Sequence, residues 1–275
     1  MKISPVSSEE LLQSVVALTR VAGAAILNIC KADDFGEIRK ADDSPLTRAD
    51  MASHHAIIAG LQKIDPLCPV LSEEAADIPY EARRHWARFW LVDPLDGTKE
   101  FIKRNGEFTV NIALIESGQP VLGVVYAPAT GVCYFAAAGV GAFVQRGDST
   151  AQPIKGHEPV PHSSLRVVAS RSHSDERTAA LLRALGECQC VSMGSSLKLC
   201  LVAEGVADFY PRLGPTMEWD TAAAHAVVAA AGGVVCDSAG KQIHYNKADL
   251  HNPEFLVFHK NAGWLLDYVR KIGVC

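Results

Sequence analysis

The stretch Leu91-Val92-Asp93-Pro94-Leu95-Asp96-Gly97-Thr98 sets two carboxylates three residues apart at the end of an apolar run. Other acids sit where elements should end or begin: Glu73 after Pro69-Val70-Leu71-Ser72, Asp220 after Glu218-Trp219, and Asp50 in the segment Thr47–Asp50. Carboxylates gathered at strand ends repel one another and resist loss of water, and a hard divalent cation relieves both strains. Mg²⁺ takes oxygen ligands in octahedral geometry and keeps some of its water. A D-P-x-D-G-T turn can aim two carboxylates and the Leu95 carbonyl at one point; the proline presets the turn and Gly97 lets the backbone come close to a ligand. Thr98 begins a helix-like run through Ile102, so the Gly97 and Thr98 amides can cradle an anion. Metal, amide cradle and hydroxyl make a phosphate site, and two cations about 4 Å apart would bind both attacking water and leaving oxygen. Each acid alone has a plainer reading: Asp93 or Asp96 as a turn residue, Asp220 as an N-cap, Asp50 as a helix-start acid, Glu73 and Glu74 as a solvated pair. Asp-Pro-Leu-Asp-Gly-Thr as a unit is far more specific than any of these.

The elements that must position these groups follow from periodicity. Ser7-Ser8-Glu9-Glu10 opens a helical pattern to about Lys31, with apolar residues at helical spacing from Leu11 to Ile26. Phe35 to Lys40 reads as a short strand, 42–45 as a loop, and Thr47 leads a second helix to about Ile64. Val70-Leu71 and Phe89 to Val92 read as short buried strands ending at the acids. From Phe108 to Gln145 alternation and turn signals predict an antiparallel meander of about four strands. Residues 147–164 are polar and proline-bearing, a crossing between lobes. The second half alternates: strands over 165–169, 207–211, 234–236 and 255–258, helices over 175–185, 195–204, 219–231 and 263–272. We expect an α+β lobe over 1–160 carrying the D-P-L-D-G-T turn and an α/β lobe over 161–275 completing the site.

The chain has 275 residues, a net charge of −5 and 48% hydrophobic residues. That suits a large core and gives no basic surplus for nucleic acid. The N-terminal Met1–Gln13 lacks a signal-peptide core, and no charge-free run of about 18 apolar residues is legible, so no transmembrane helix is expected. Eight scattered cysteines form no CxxC pair, which reads as buried thiols in a reducing cytoplasm rather than a structural zinc site. There is no Walker A sequence and no GxSxG elbow, and Gly139-Val140-Gly141 falls in a hairpin. Met193 and the four tryptophans read as core or lobe-interface residues rather than a cofactor box.

Through these motifs the sequence resembles the inositol monophosphatase superfamily, the lithium-sensitive Mg²⁺-dependent phosphatases. The resemblance runs from about residue 8 to 260 through Ser72-Glu73-Glu74, Asp93–Thr98 and Trp219–Ala223. The segments 96–116, 123–131, 168–175, 194–212 and 218–233 look like its 3'(2'),5'-bisphosphate nucleotidase branch. The resemblance implies an α/β, α+β fold, a layered αβαβα sandwich of the inositol monophosphatase or fructose-1,6-bisphosphatase type. It implies hydrolysis of 3'-phosphoadenosine 5'-phosphate (PAP) to AMP and phosphate, with its sulfated form PAPS a further substrate. Two or three Mg²⁺ ions are expected per site, one held by Glu73, Asp93 and the Leu95 carbonyl, another by Asp93, Asp96 and Asp220. Asp50 and Thr98 match the pair that orients the attacking water, which displaces the ribose oxygen in line with no covalent intermediate. The same resemblance carries a cytoplasmic enzyme, monomer or homodimer, and a peripheral attachment to the inner membrane for which no sequence device is legible.

The substrate is expected to touch Glu73, Leu95, Asp96, Gly97, Thr98 and Asp220, and further residues must select the nucleotide. His173, in Ser170-Arg171-Ser172-His173 at a strand end, could stack on adenine or be an exposed loop histidine. Gly194-Ser195-Ser196 opens a predicted helix, where amides and hydroxyls could take the second phosphate. Lys198 and Arg212 could add charge there, with a solvated helix face the alternative for Lys198; Lys99 and Lys103 lie beside the D-G-T turn. Two other readings stand beside the nucleotidase: an inositol- or sugar-phosphate monophosphatase with the same core, and a non-catalytic nucleotide-binding member of the fold. Lys99-Glu100-Phe101 favours the nucleotidase over the first, and the intact acids and threonine weigh against the second.

Overall fold

A computed structural model of the chain describes residues 7–31, 36, 38–39, 45–169 and 176–272. The elements in order are α1 (Ser8–Cys30), β1 (Ile38–Arg39), β2 (Pro45–Leu46), α2 (Arg48–Ile64), β3 (Val70–Ser72), a 3₁₀ turn (Glu73–Ala75), α3 (Tyr80–Arg83), β4 (Arg88–Asp96) and α4 (Thr98–Ile102). Then come β5 (Thr109–Glu116), β6 (Gln119–Ala127), β7 (Val132–Ala137), β8 (Gly141–Arg146), β9 (Gln152–Pro153), β10 (Leu165–Ala169) and α5 (Glu176–Leu185). The chain closes with β11 (Cys188–Ser192), α6 (Leu197–Ala203), β12 (Phe209–Arg212), α7 (Glu218–Ala230), β13 (Gly233–Cys236), β14 (Phe255–His259) and α8 (Trp264–Ile272).

Two sheets carry the fold. The larger runs β3-β4-β5-β6-β7-β8-β9, the smaller β11-β10-β12-β14-β13. In β4, Trp90 and Val92 enter one core and Phe89 and Leu91 another, so strand alternation feeds both faces and the segment reads as unbroken hydrophobe. Helices α1 and α2 cover the first face. On the other face α7 packs across β4 to β8, and α6 joins it to β10, β12 and β14 of the smaller sheet. A third core, with Leu165, Leu181, Phe209, Leu256, Leu265 and Val269, fills the space between the smaller sheet and α5 and α8. The result is the expected αβαβα sandwich. The middle helix layer is tight: a side chain at Gly123 of β6 would sit 2.1 Å from the Ala223 carbonyl, so glycine there and the alanines of α7 let helix and sheet touch.

Several predicted elements differ. Strand β4 does not stop at Asp93 but pairs with β5 through Asp96, with a register break between the two acids. β11 and α3 were not expected; the sequence Cys-Gln-Cys-Val-Ser offers little strand patterning, and α3 is one turn long. Helix α6 starts at Leu197 rather than Ser195, because Ser195 has a left-handed φ of 45°. The predicted 42–45 loop lies mostly outside the described residues. Among the described residues α1, with 23 residues, is long and apolar enough by length and composition to cross a bilayer, although Glu9, Glu10 and Arg20 interrupt it and it has no charge-free run of 18. Its buried face, Leu12, Val15, Val16, Leu18, Ala22 and Ile26, belongs to the core against β5, β6 and β7. Cys133, Cys200 and Cys236 are buried thiols as expected, whereas Cys190 is exposed on β11.

Candidate active site

The acids come together where β4, α2 and α7 meet. Alternation places Asp93 on the side of β4 that carries Phe89 and Leu91, facing the α6–α7 layer. Its carboxylate accepts from the Leu95 amide at 3.0 Å, and Ser53 of α2 donates to the Pro94 carbonyl at 2.6 Å. The D-P-L-D segment is therefore pinned from both sides. Gly97 follows with φ 88°, and a side chain there would lie 3.2 Å from the Glu107 carbonyl, so the turn into α4 requires glycine.

Asp50 and Asp220 share a construction. Each is the third residue of its helix and caps the preceding backbone with one oxygen. Asp50 Oδ2 accepts from the Thr47 amide and hydroxyl, both at 2.7 Å, and Asp220 Oδ2 accepts from the Met217 amide at 2.8 Å. Asp220 is thus a third-position cap and not the N-cap its sequence context suggests. The second oxygen of Asp50 accepts from Thr98 Oγ1 at 3.2 Å, and Thr98 Oγ1 also lies 3.4 Å from the Leu95 carbonyl.

Electrostatics identifies the cluster. Burial pushes the Asp93 carboxyl well above the usual carboxylate range, and Glu73, Asp96 and Asp220 push it further; Glu73 also shares a hydrogen bond with it. Burial, then Asp96, does the same to Asp220. Asp96 is raised by burial, against the stabilising pull of Lys198 and the Ser196 amide, and Asp50 is raised by burial. Among the described residues no three His, Cys, Asp or Glu side chains are grouped tightly enough to hold an ion as they stand. The donor set, all hard oxygen, suits Mg²⁺ rather than a softer ion.

The opposite wall is basic and donor-rich. A cleft of about 300 Å³ runs from Asp96, Gly97 and Asp220 to Lys198, Arg212 and Ser195. Lys198 is 9% exposed, so the solvated-helix reading fails; burial lowers its pKa while Asp96 opposes that. Arg212 donates through Nη2 to the Pro215 carbonyl at 2.9 Å. Its Nε and the Ser195 hydroxyl are buried without partners, a condition that an anion in the cleft would relieve. Lys103 also lines the cleft, while Lys99 is exposed outside it. Met193, expected in the core or at the lobe interface, packs against the core and lines the cleft as well. Glu73 stands beside Asp93 and the Leu95 carbonyl beside Thr98 Oγ1, and neither lines the cleft itself. His173 lies outside the described residues.

Sequence reasoning missed the polar residues behind the acids. Thr109 and Asn111, opposite Asp96 and Asp93 in the β4–β5 register, look like ordinary strand positions. Asn252 binds Thr216 Oγ1, the Met217 carbonyl and Thr221 Oγ1 at the start of α7, and no local motif marks it. The buried polar character of Thr109 and Asn111 within an otherwise apolar strand was the one available signal.

Residues 7–273 match the inositol monophosphatase family. A Salmonella typhimurium protein named 3'(2'),5'-bisphosphate nucleotidase CysQ is 52% identical over 90% of this chain and 99% of its own length. The protein of the same name from Buchnera aphidicola is 43% identical over 86% of this chain and 88% of its own. The crystal structure of CysQ from Bacteroides thetaiotaomicron superposes with a TM-score of 0.80 at 44% identity, covering 90% of this chain and 97% of that one. An inositol monophosphatase from Anabaena shares the fold, with a TM-score of 0.76 at 24% identity over 96% of both chains. With the acidic turn, the sandwich around it and these similarities in agreement, the chain belongs to the inositol monophosphatase family.

Proposed function

We propose that the chain is a Mg²⁺-dependent 3'(2'),5'-bisphosphate nucleotidase that removes the 3'-phosphate of PAP to give AMP and phosphate, with PAPS as a further substrate. One observation carries the reading: mutually repelling carboxylates face unpartnered donors and a buried lysine across a single cleft. That arrangement suits an anion bridging cations on one side and fixed positive charge on the other. The relatives named 3'(2'),5'-bisphosphate nucleotidase support a nucleotide bisphosphate as that anion.

In this reading Glu73, Asp93, the Leu95 carbonyl, Asp96 and Asp220 hold two or three Mg²⁺ ions. Bound there, Mg²⁺ supplies positive charge to the phosphoryl oxygens and makes the attacking water more acidic. The Gly97 and Thr98 amides and the Ser195 hydroxyl orient phosphate, and Lys198 and Arg212 supply the charge a second phosphate needs. Thr98 donates its single proton toward Asp50 Oδ1, which leaves its lone pairs free to accept from water. As water attacks phosphorus, its proton passes to Thr98 Oγ1 and the Thr98 proton to Asp50. A buried carboxylate with a raised pKa is a competent acceptor. The bond from phosphorus to the ribose 3'-oxygen breaks opposite the entering oxygen; the 3'-oxygen leaves with the bonding pair and takes a proton from solvent, giving the 3'-hydroxyl of AMP, while Asp50 returns its proton to solvent.

A phosphate-release panel over PAP, PAPS, inositol 1-phosphate and a sugar phosphate, with Mg²⁺ titrated, tests this. PAP should have the highest kcat/KM, and Asp96→Asn should remove most turnover at unchanged fold. Faster turnover of inositol 1-phosphate, or release without a divalent cation, would overturn it.

A further inference from the structure

Asp96 lies partly buried at the end of β4. Asn111 of the neighbouring strand favours its charged form, and a hydrogen bond to its carboxylate comes from the other side of the molecule. The Ser196 amide donates to Asp96 Oδ2 at 2.5 Å across a separation of 100 residues. Ser196 is itself gripped: its hydroxyl donates to Asn111 Oδ1 at 2.8 Å and lies 2.9 Å from Thr109 Oγ1. A hydroxyl has one proton, and Asn111 Oδ1 can only accept, so Thr109 must be the donor to Ser196. All three residues are buried, with exposures of 0% for Thr109, 1% for Asn111 and 2% for Ser196.

The register explains why these residues do this. Thr109 stands opposite Asp96 and Asn111 opposite Asp93, so β5 reaches out from directly beside the two acids. The grip also has something to resist. Ser195, immediately before Ser196, is held at φ 45° with its hydroxyl buried and unpartnered in the cleft. A serine in the left-handed region relaxes unless its surroundings fix it. The bonds to Ser196 Oγ hold the backbone just beyond it, and that backbone carries the amide that aims Asp96.

We infer that Ser196 is a positioning residue for Asp96, with Thr109 and Asn111 locking its hydroxyl so that its amide holds the carboxylate in ligating orientation. The inference rests on the proposed role of Asp96 in binding the metal. Groups that orient a metal ligand through hydrogen bonds typically change affinity 10- to 100-fold when lost.

Mn²⁺ binding to the substrate-free protein, read from the electron paramagnetic resonance signal of unbound Mn²⁺, tests it alongside the Mg²⁺ concentration giving half-maximal PAP hydrolysis. Ser196→Ala should weaken Mn²⁺ binding about 10-fold and raise the Mg²⁺ requirement in parallel, with little change in the KM for PAP at saturating Mg²⁺. Thr109→Val, which keeps shape and removes the donor, should give a smaller loss in the same direction and serves if Ser196→Ala folds poorly. Thr109→Ser should restore wild-type binding. Asp96→Asn separates the two ideas. If it weakens Mn²⁺ binding while Ser196→Ala and Thr109→Val leave it unchanged, the positioning role is wrong. If Asp96→Asn itself binds Mn²⁺ normally, the metal assignment fails and this inference with it.

Discussion

Replacing Thr98 by valine removes one hydroxyl and leaves every acid in place. The Thr98 side chain is half-buried, bonded at 3.2 Å to Asp50 and 3.4 Å from the Leu95 carbonyl. Aligning and deprotonating a nucleophile contributes about 10²–10⁴-fold. The 3.2 Å bond is at the long end for a hydroxyl donor, which places Thr98 in the lower part of that range. We expect kcat to fall about 10²–10³-fold, or about 3–4 kcal/mol at about 1.4 kcal/mol per factor of ten. The cost to the fold is smaller, about 1 kcal/mol for one half-exposed hydrogen bond, or about 2–4 °C in Tm for a chain of this size. Steady-state phosphate release across PAP and Mg²⁺ concentrations separates kcat, KM and the metal requirement. Thr98→Ser should keep most of the activity. A Thr98→Val enzyme within threefold of wild-type kcat would refute the proton route through Thr98 and Asp50. A defect that disappears at high Mg²⁺ would refute it too, and would reassign the hydroxyl to metal binding.

Stability should depend jointly on pH and Mg²⁺. The Asp93 and Asp220 carboxyls are raised in the folded protein, chiefly by burial and then by neighbouring acids, so the folded chain binds more protons than the unfolded one. Their contribution is full below the unfolded pKa of about 3.9 and is lost as pH rises through the higher folded values. Mg²⁺ replaces those protons, so the Tm gain on adding Mg²⁺ should grow from pH 5 to pH 8 in thermal melts, and a gain independent of pH would contradict the assignment. Gly97→Ala forces a side chain into a φ of 88° against the Glu107 carbonyl. It should cost about 1–2 kcal/mol in denaturant unfolding and displace both Asp96 and Thr98, with activity falling further than stability; an unstrained, active variant would show that the turn tolerates a side chain.

The sequence made the acids and the threonine legible because most of them lie in one short motif whose local chemistry is explicit. The alternating apolar strands of the meander and the alanine-rich α7 were equally plain, since periodicity is a local property. What stayed hidden depends on partners far along the chain. Nothing around Ser196 signals a bond to Asp96, and Asn111 in a run of valine, isoleucine and alanine gives no hint of what it faces. The plainer readings of Asp50 as a helix-start acid and Asp220 as an N-cap were half right: each caps its helix with one oxygen, while Asp50 also accepts from Thr98 with the other and Asp220 lines the cleft. Lys198 misled for a similar reason, because a lysine on a helix looks solvated until the opposing layer is in place.

That double duty of Asp50 and Asp220 has a practical side. Anyone seeking an inactive enzyme to trap with its nucleotide would reach for these carboxylates, yet neutralising either would also fray the first turn of α2 or α7. Lost turnover there could not be told apart from a loosened scaffold. Thr98 touches the backbone only through its long 3.4 Å contact with the Leu95 carbonyl and caps no helix, which makes it the cleaner place to silence the reaction while leaving the architecture able to hold its ligand.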